Sequence, residues 1–230
     1  MVATTSADAR QKFAAVIGAL NTNTAGRYGF AGAGSDSQPL ASPEAFLAAL
    51  ATAIAPETTV SGVVSAVEAW FDAPVGGGGY LDTVYGGGAA LAPFRIAGGE
   101  TAELGVTAAD PEVRDLLVGL SLASLVSDGA FAGDASARAG LTRAAGEKVM
   151  HAAGSATALA ARVGSVEARI EDVATRNTAE TASLEIARAG MTAADPYDTA
   201  TALQAVQAQI ETLYTLTARL ANLKLTDYLR

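Results

Sequence analysis

Residues 199–230 read TATALQAVQAQIETLYTLTARLANLKLTDYLR. No proline or glycine interrupts them. Apolar side chains return every three or four positions, at Leu203, Val206, Ile210, Leu213, Leu216 or Thr217, Leu220 and Leu223. That spacing predicts an amphipathic helix running to the end of the chain. Chain ends fray unless something ties them down, and an uncovered apolar stripe is an aggregation hazard. The stripe therefore predicts a cover, either another helix of this chain or a second chain.

A matching stripe lies upstream. From about Ser136 to Ala189, Leu159, Val163, Val166, Ile170, Val173 and Leu184 fall at heptad-like spacing, with Asn177 and Glu180 filling two of its positions. Gly154 and Gly164 weaken this helix, and a bend near Gly154 is expected. RAGMTAADPYD, residues 188–198, is the break between the two. Long amphipathic helices with a short connection predict an antiparallel pair packed on each other. The packing residues are Val166, Ile170 and Val173 on the first helix, and Leu203, Val206, Ile210, Leu213, Leu216, Leu220 and Leu223 on the second. A contact between copies through Leu213, Leu220 and Leu223 is also expected.

Further toward the N-terminus the elements shorten. Phe13, Val16, Ile17 and Leu20 share one face of a helix over Thr5–Leu20, which NTNTAG stops. Three later helices open with one device, a capping residue followed by proline: Ser42-Pro43, Asp110-Pro111 and Asp195-Pro196. The cap oxygen accepts an orphan N–H, and proline has none to lose at the first helical position. Helices follow over 43–54, 111–127 and from 196 onward, with another over 61–71. APFRIAGG and ETAELGVTA predict two short antiparallel strands joined at Gly98-Gly99. The glycine runs at 76–79 and 86–88 read as flexible loops. Expected domains are residues 1–22 as the end of an N-terminal helix, 23–133 as an outer α+β domain, and 134–230 as a long helical hairpin. The fold class is mainly α: long antiparallel, coiled-coil-like helices with a small α+β outer domain containing short antiparallel strands.

Composition narrows the function. Half of the 230 residues are hydrophobic, much of that alanine, and aromatics make up only 6%. This favours helices packed through small side chains over a bulky core. A net charge of −9 argues against nucleic acid, which needs a basic footprint, and against anionic lipid. With no cysteine, disulfides, zinc thiolates and thiol nucleophiles are excluded. No apolar run is long enough to span a membrane, and MVATTSADARQKF lacks the pattern of a secretory signal.

Chemistry-bearing residues are sparse. His151, the single histidine, sits in a helical stretch, EKVMHAAG, with no second ligand and no G-x-S-x-G serine elbow. The glycine runs do not continue as phosphate-binding motifs. Glu167 and Glu171, with Arg169 and Arg176 nearby, read as a solvated charged face. An enzyme is not expected. A pocket lined by Arg95, Glu100 and Asp110 would reopen that reading. No catalytic residue, metal ligand or cofactor is assigned.

The segment DPYDTATALQAVQAQIETLYTLTARLANLKLTDYLR resembles the C-terminal region of bacterial flagellins and of the related hook-associated protein 3 family. ALNTNTAGRYGFAGAGSDSQPL is similar to the passage by which that junction family leaves its first long helix, and FRIAGGETAELGVTAADPEVRDLL resembles its outer-domain strand pair and following helix. The resemblance covers nearly the whole chain, and the GRYGFAG segment favours the junction family over flagellin. It implies a structural, self-assembling subunit at the hook–filament junction, outside the cell, exported by the flagellar type III route without a cleaved signal. Implied partners are other copies, hook-associated protein 1, flagellin and an export chaperone. The family begins with a long N-terminal helix. Met1 falls near the end of that region, so most of it is expected to be missing. Two alternatives stay open: a flagellin filament subunit, and a coiled-coil adaptor binding a partner helix.

Overall fold

The computed structural model describes the backbone of residues 2–193 and 195–222, and the side chains of 8–193 and 195–221. The chain divides into two units, Met1–Ala174 and Thr175–Arg230. It opens with helix α1 (Val2–Leu20), then a two-residue hairpin, β1 (Asn23–Thr24) with β2 (Arg27–Tyr28). Three helices follow, α2 (Pro43–Ile54), α3 (Val60–Asp72) and the single turn α4 (Tyr80–Thr83). A second ribbon pairs β3 (Phe94–Ala97) with β4 (Glu100–Ala102), and α5 (Pro111–Ser127) leads to two long helices, α6 (Ala135–Thr192) and α7 (Pro196–Asn222).

Local chemistry explains the boundaries. Ser42 caps α2 as expected, its Oγ accepting the Ala45 N–H at 3.2 Å. Thr59 caps α3 through the Gly62 N–H at 3.1 Å. At α7, Asp195 accepts the Tyr197 N–H at 2.8 Å. Asp110 departs from the pattern and makes no cap hydrogen bond. Its carboxylate accepts the Thr107 hydroxyl at 2.8 Å instead, which draws it back along the preceding loop. Where RYGFAGAGSDSQPL reads as a short strand or turn followed by a loop, the structure forms a two-stranded hairpin at 23–28. Its Ala25-Gly26 turn has φ of 52° and 83°, the double left-handed pair of a tight primed turn that strands this short leave invisible to periodicity. Gly154 and Gly164 interrupt nothing, since α6 runs unbroken for 58 residues.

The core departs from the small-residue packing that composition favours. The aromatics are few but gathered together. The Phe46 ring lies 5.1 Å from Phe13, 5.6 Å from Trp70, and 5.9 Å from both Phe71 and Tyr80. Phe13, Phe46 and Tyr80 are fully buried, and the cluster joins Leu50, Val67, Leu117 and Leu122, with Leu141 and Ala145 from α6. An aromatic buried this completely contributes roughly 4–6 kcal/mol of gross transfer free energy, several times what an alanine contact supplies. Small residues matter at one crossing. A Cβ on Gly119 would lie 2.8 Å from the Val149 backbone nitrogen, so glycine is what lets α5 and α6 approach.

The glycine run 76–79 is organised by one side chain. The Asp82 carboxylate accepts N–H groups of Gly76 at 2.9 Å and Gly78 at 2.7 Å. These bonds favour the charged form and hold the carboxyl below its usual range.

Candidate assembly surface

The residues singled out as packing positions separate into two environments. On α6, Val166 and Ile170 are half-buried, and Val173 is only 2% exposed. Leu159 packs against the core. On α7 the stripe is open. Exposure of Leu203, Val206, Ile210, Leu213, Leu216 and Leu220 runs from 46% at Ile210 to 69% at Leu220. Leu223 lies outside the described residues. The sequence placed all of these on helices, but it could not show which ones the chain buries for itself.

At helical spacing the six described leucine, isoleucine and valine residues of α7, together with Tyr214, cover an arc of about 160°. A two-stranded seam uses a narrower stripe. Charge is scarce: the described helix carries only Asp198, Glu211 and Arg219. Its threonines turn inward, with Thr201, Thr212, Thr215 and Thr217 donating to the carbonyls four residues earlier at 2.7–2.9 Å. The helix thus presents methyl groups and leaves few hydroxyls seeking partners.

Polar groups also gather away from this stripe. An open cleft of about 420 Å³ between α3, α5 and α6 is lined by Glu68, Asp72, Asp115, Glu147 and His151. Its cations are engaged, Lys148 with Glu68 and Arg114 with Asp72 at 3.7 Å. Arg114 also donates to the Phe71 carbonyl at 2.6 Å. Among the described residues no group of three His, Asp or Glu could hold a metal ion. Asp110 lines a separate cavity of about 400 Å³ with Glu103 and Arg162. Arg95 and Glu100 do not line this cavity. One perturbed proton site lies in the core. Burial pushes the Tyr80 phenol upward, with Tyr85 adding to the effect, while its hydroxyl donates to the Ala108 carbonyl at 2.6 Å.

The open stripe therefore stands as the leading candidate for function, and comparison with known proteins bears on it directly. Residues 147–229 match the family model of the bacterial flagellin C-terminal helical region. This flagellin-type segment contains every packing residue named above. It begins within α6 and takes in all of α7. No curated protein and no solved structure matches the chain. Among the described residues, no helix is long and apolar enough to cross a membrane.

Proposed function

We propose that this protein is a structural, self-assembling subunit of the bacterial flagellum, located at the hook–filament junction between hook-associated protein 1 and the flagellin filament. The observation that carries this reading is the wide apolar face of α7, open in the single chain and lying inside the flagellin-type segment. Covering it releases roughly 25 cal/mol for each Å² of apolar surface removed from water. A helix with this face and almost no charge is built to sit among other helices. The junction assignment rests on the GRYGFAG passage and the ribbon before α5. On this reading the chain works outside the cell, reaches that place by the flagellar export route, and can meet an export chaperone through the same face.

A flagellin filament subunit is the second reading, favoured by the family match itself. Immunogold labelling of purified flagella separates the two. Label confined to the hook–filament boundary supports the junction, and label along the filament supports flagellin. Absence of the protein from purified flagella overturns both and leaves the adaptor. The variant Leu213→Asp is expected to abolish incorporation while leaving the melting of the Met1–Ala174 unit unchanged.

A further inference from the structure

Asp128-Gly129 is the single Asp-Gly step in the sequence, which holds no Asn-Gly step. In such a pair the glycine amide nitrogen can attack the aspartate Cγ, since glycine carries no Cβ to hinder the approach. The N–Cγ bond forms, and the amide hydrogen leaves with the hydroxyl of the protonated carboxyl group as water. The product is a five-membered succinimide. Water then adds across the bond between nitrogen and the main-chain carbonyl carbon of Asp128, its hydroxyl to carbon and its proton to nitrogen. The chain now runs through Cγ as isoaspartate. Composition is unchanged and nothing is oxidised or reduced.

The fold holds this step back. Asp128 ends α5 with ψ of 6°. Substituents on Cα stand about 120° apart around the Cα–C bond, so at this ψ the Gly129 nitrogen is turned about 120° from Cβ. Ring closure needs the two eclipsed. Three backbone bonds oppose that rotation. The Asp128 N–H donates to Ser124 at 3.0 Å, the Gly129 N–H to Val126 at 3.4 Å, and the Ala130 N–H to Leu125 at 2.9 Å. Gly129 itself lies at φ 94°. Past the turn, Phe131 is held at φ 55°, a strained conformation for a bulky side chain, and its packing against the core keeps the loop on this path. A further tie comes from α1, where Arg10 Nη1 donates to Asp128 Oδ1 and fixes the carboxylate. Water reaches the site: the Asp128 side chain is 30% exposed, and Gly129 is exposed.

We propose that Asp128-Gly129 is the site at which this chain forms isoaspartate, and that Arg10 is the latch that slows it. The reaction passes through local opening of the α5 end, so its rate reads that opening. Each conversion adds one atom to the main chain at the turn and takes the carboxylate away from Arg10. The inference does not depend on the flagellar reading.

The test ages the full chain at neutral pH, folded and in denaturant, and maps isoaspartate by peptide mass spectrometry with an isoaspartyl methyltransferase as label. Isoaspartate is expected first at residue 128, slowly in the folded chain and faster in denaturant. Arg10→Gln is expected to speed the folded chain about two- to fivefold, the scale of one exposed ion pair, with no change in denaturant. Asp128→Glu keeps a carboxylate for Arg10 but needs a larger ring, and is expected to lose the signal. Equal rates in the folded parent and Arg10→Gln overturn the latch. Isoaspartate arising first at Asp36-Ser37 overturns the site. Acceleration that appears only with loss of the cooperative melting transition also overturns the latch, because that is unfolding of the whole unit.

Discussion

The Met1–Ala174 unit and helix α7 spend the same kind of residue in opposite ways. In the first, Phe13, Phe46, Phe71 and Tyr80 disappear into a shared cluster. In the second, six large aliphatic side chains remain about half exposed or more. The first covers its aromatic cluster from within. The second gains its apolar stabilisation only when something else arrives. The lesson is that apolar content does not separate a core from an interface. What separates them is whether the chain supplies the opposing surface.

Substitutions can break or sharpen that contrast. The largest effect is expected for Phe46→Ala, which opens a cavity at the centre of four ring contacts and should lower unfolding free energy by about 3–5 kcal/mol in denaturant titration. Gly119→Ala should cost about 1–3 kcal/mol by the same measurement, because the new methyl meets the Val149 backbone. Next comes alkaline pH. The Tyr80 phenol is raised in the folded state, so its contribution is fully present below the unfolded tyrosine range near pH 10 and declines above it, as the unfolded chain releases its proton first. Thermal melts should therefore fall above about pH 10. Tyr80→Phe should flatten that arm while losing the hydrogen bond to Ala108. The smallest effect is expected for Leu213→Ser: no shift in the melting of the Met1–Ala174 unit, within about 0.5 kcal/mol. A large shift there would mean that α7 belongs to the cooperative body, and the contrast would fail.

Much of this was legible in the residues. Ser42-Pro43 and Asp195-Pro196 fixed their helix starts through chemistry that acts within four positions. The stripe on α7 emerged from spacing alone, as did the Gly98-Gly99 turn. What stayed hidden was the choice among partners, near and far. Spacing does not say that Asp110 will turn from its own helix to Thr107 and Arg162, or that Asp82 will gather the amides of Gly76 and Gly78. The aromatic cluster was missed because a percentage does not reveal clustering in space: Phe13 and Tyr80 are far apart in the chain and join only through Phe46. For the assembly face, the sequence supplied the stripe and the flagellin-type resemblance. It could not tell that Val173 is buried by the chain while Leu203 and Leu220 are not.

The inward-bonded threonines of α7 have a mechanical corollary. A surface that has satisfied its own hydroxyls offers neighbours few directional bonds to snap when they move. On the proposed reading, subunits seated on it would slide past one another at little energetic penalty, and a tube built from such contacts would bend and twist without coming apart.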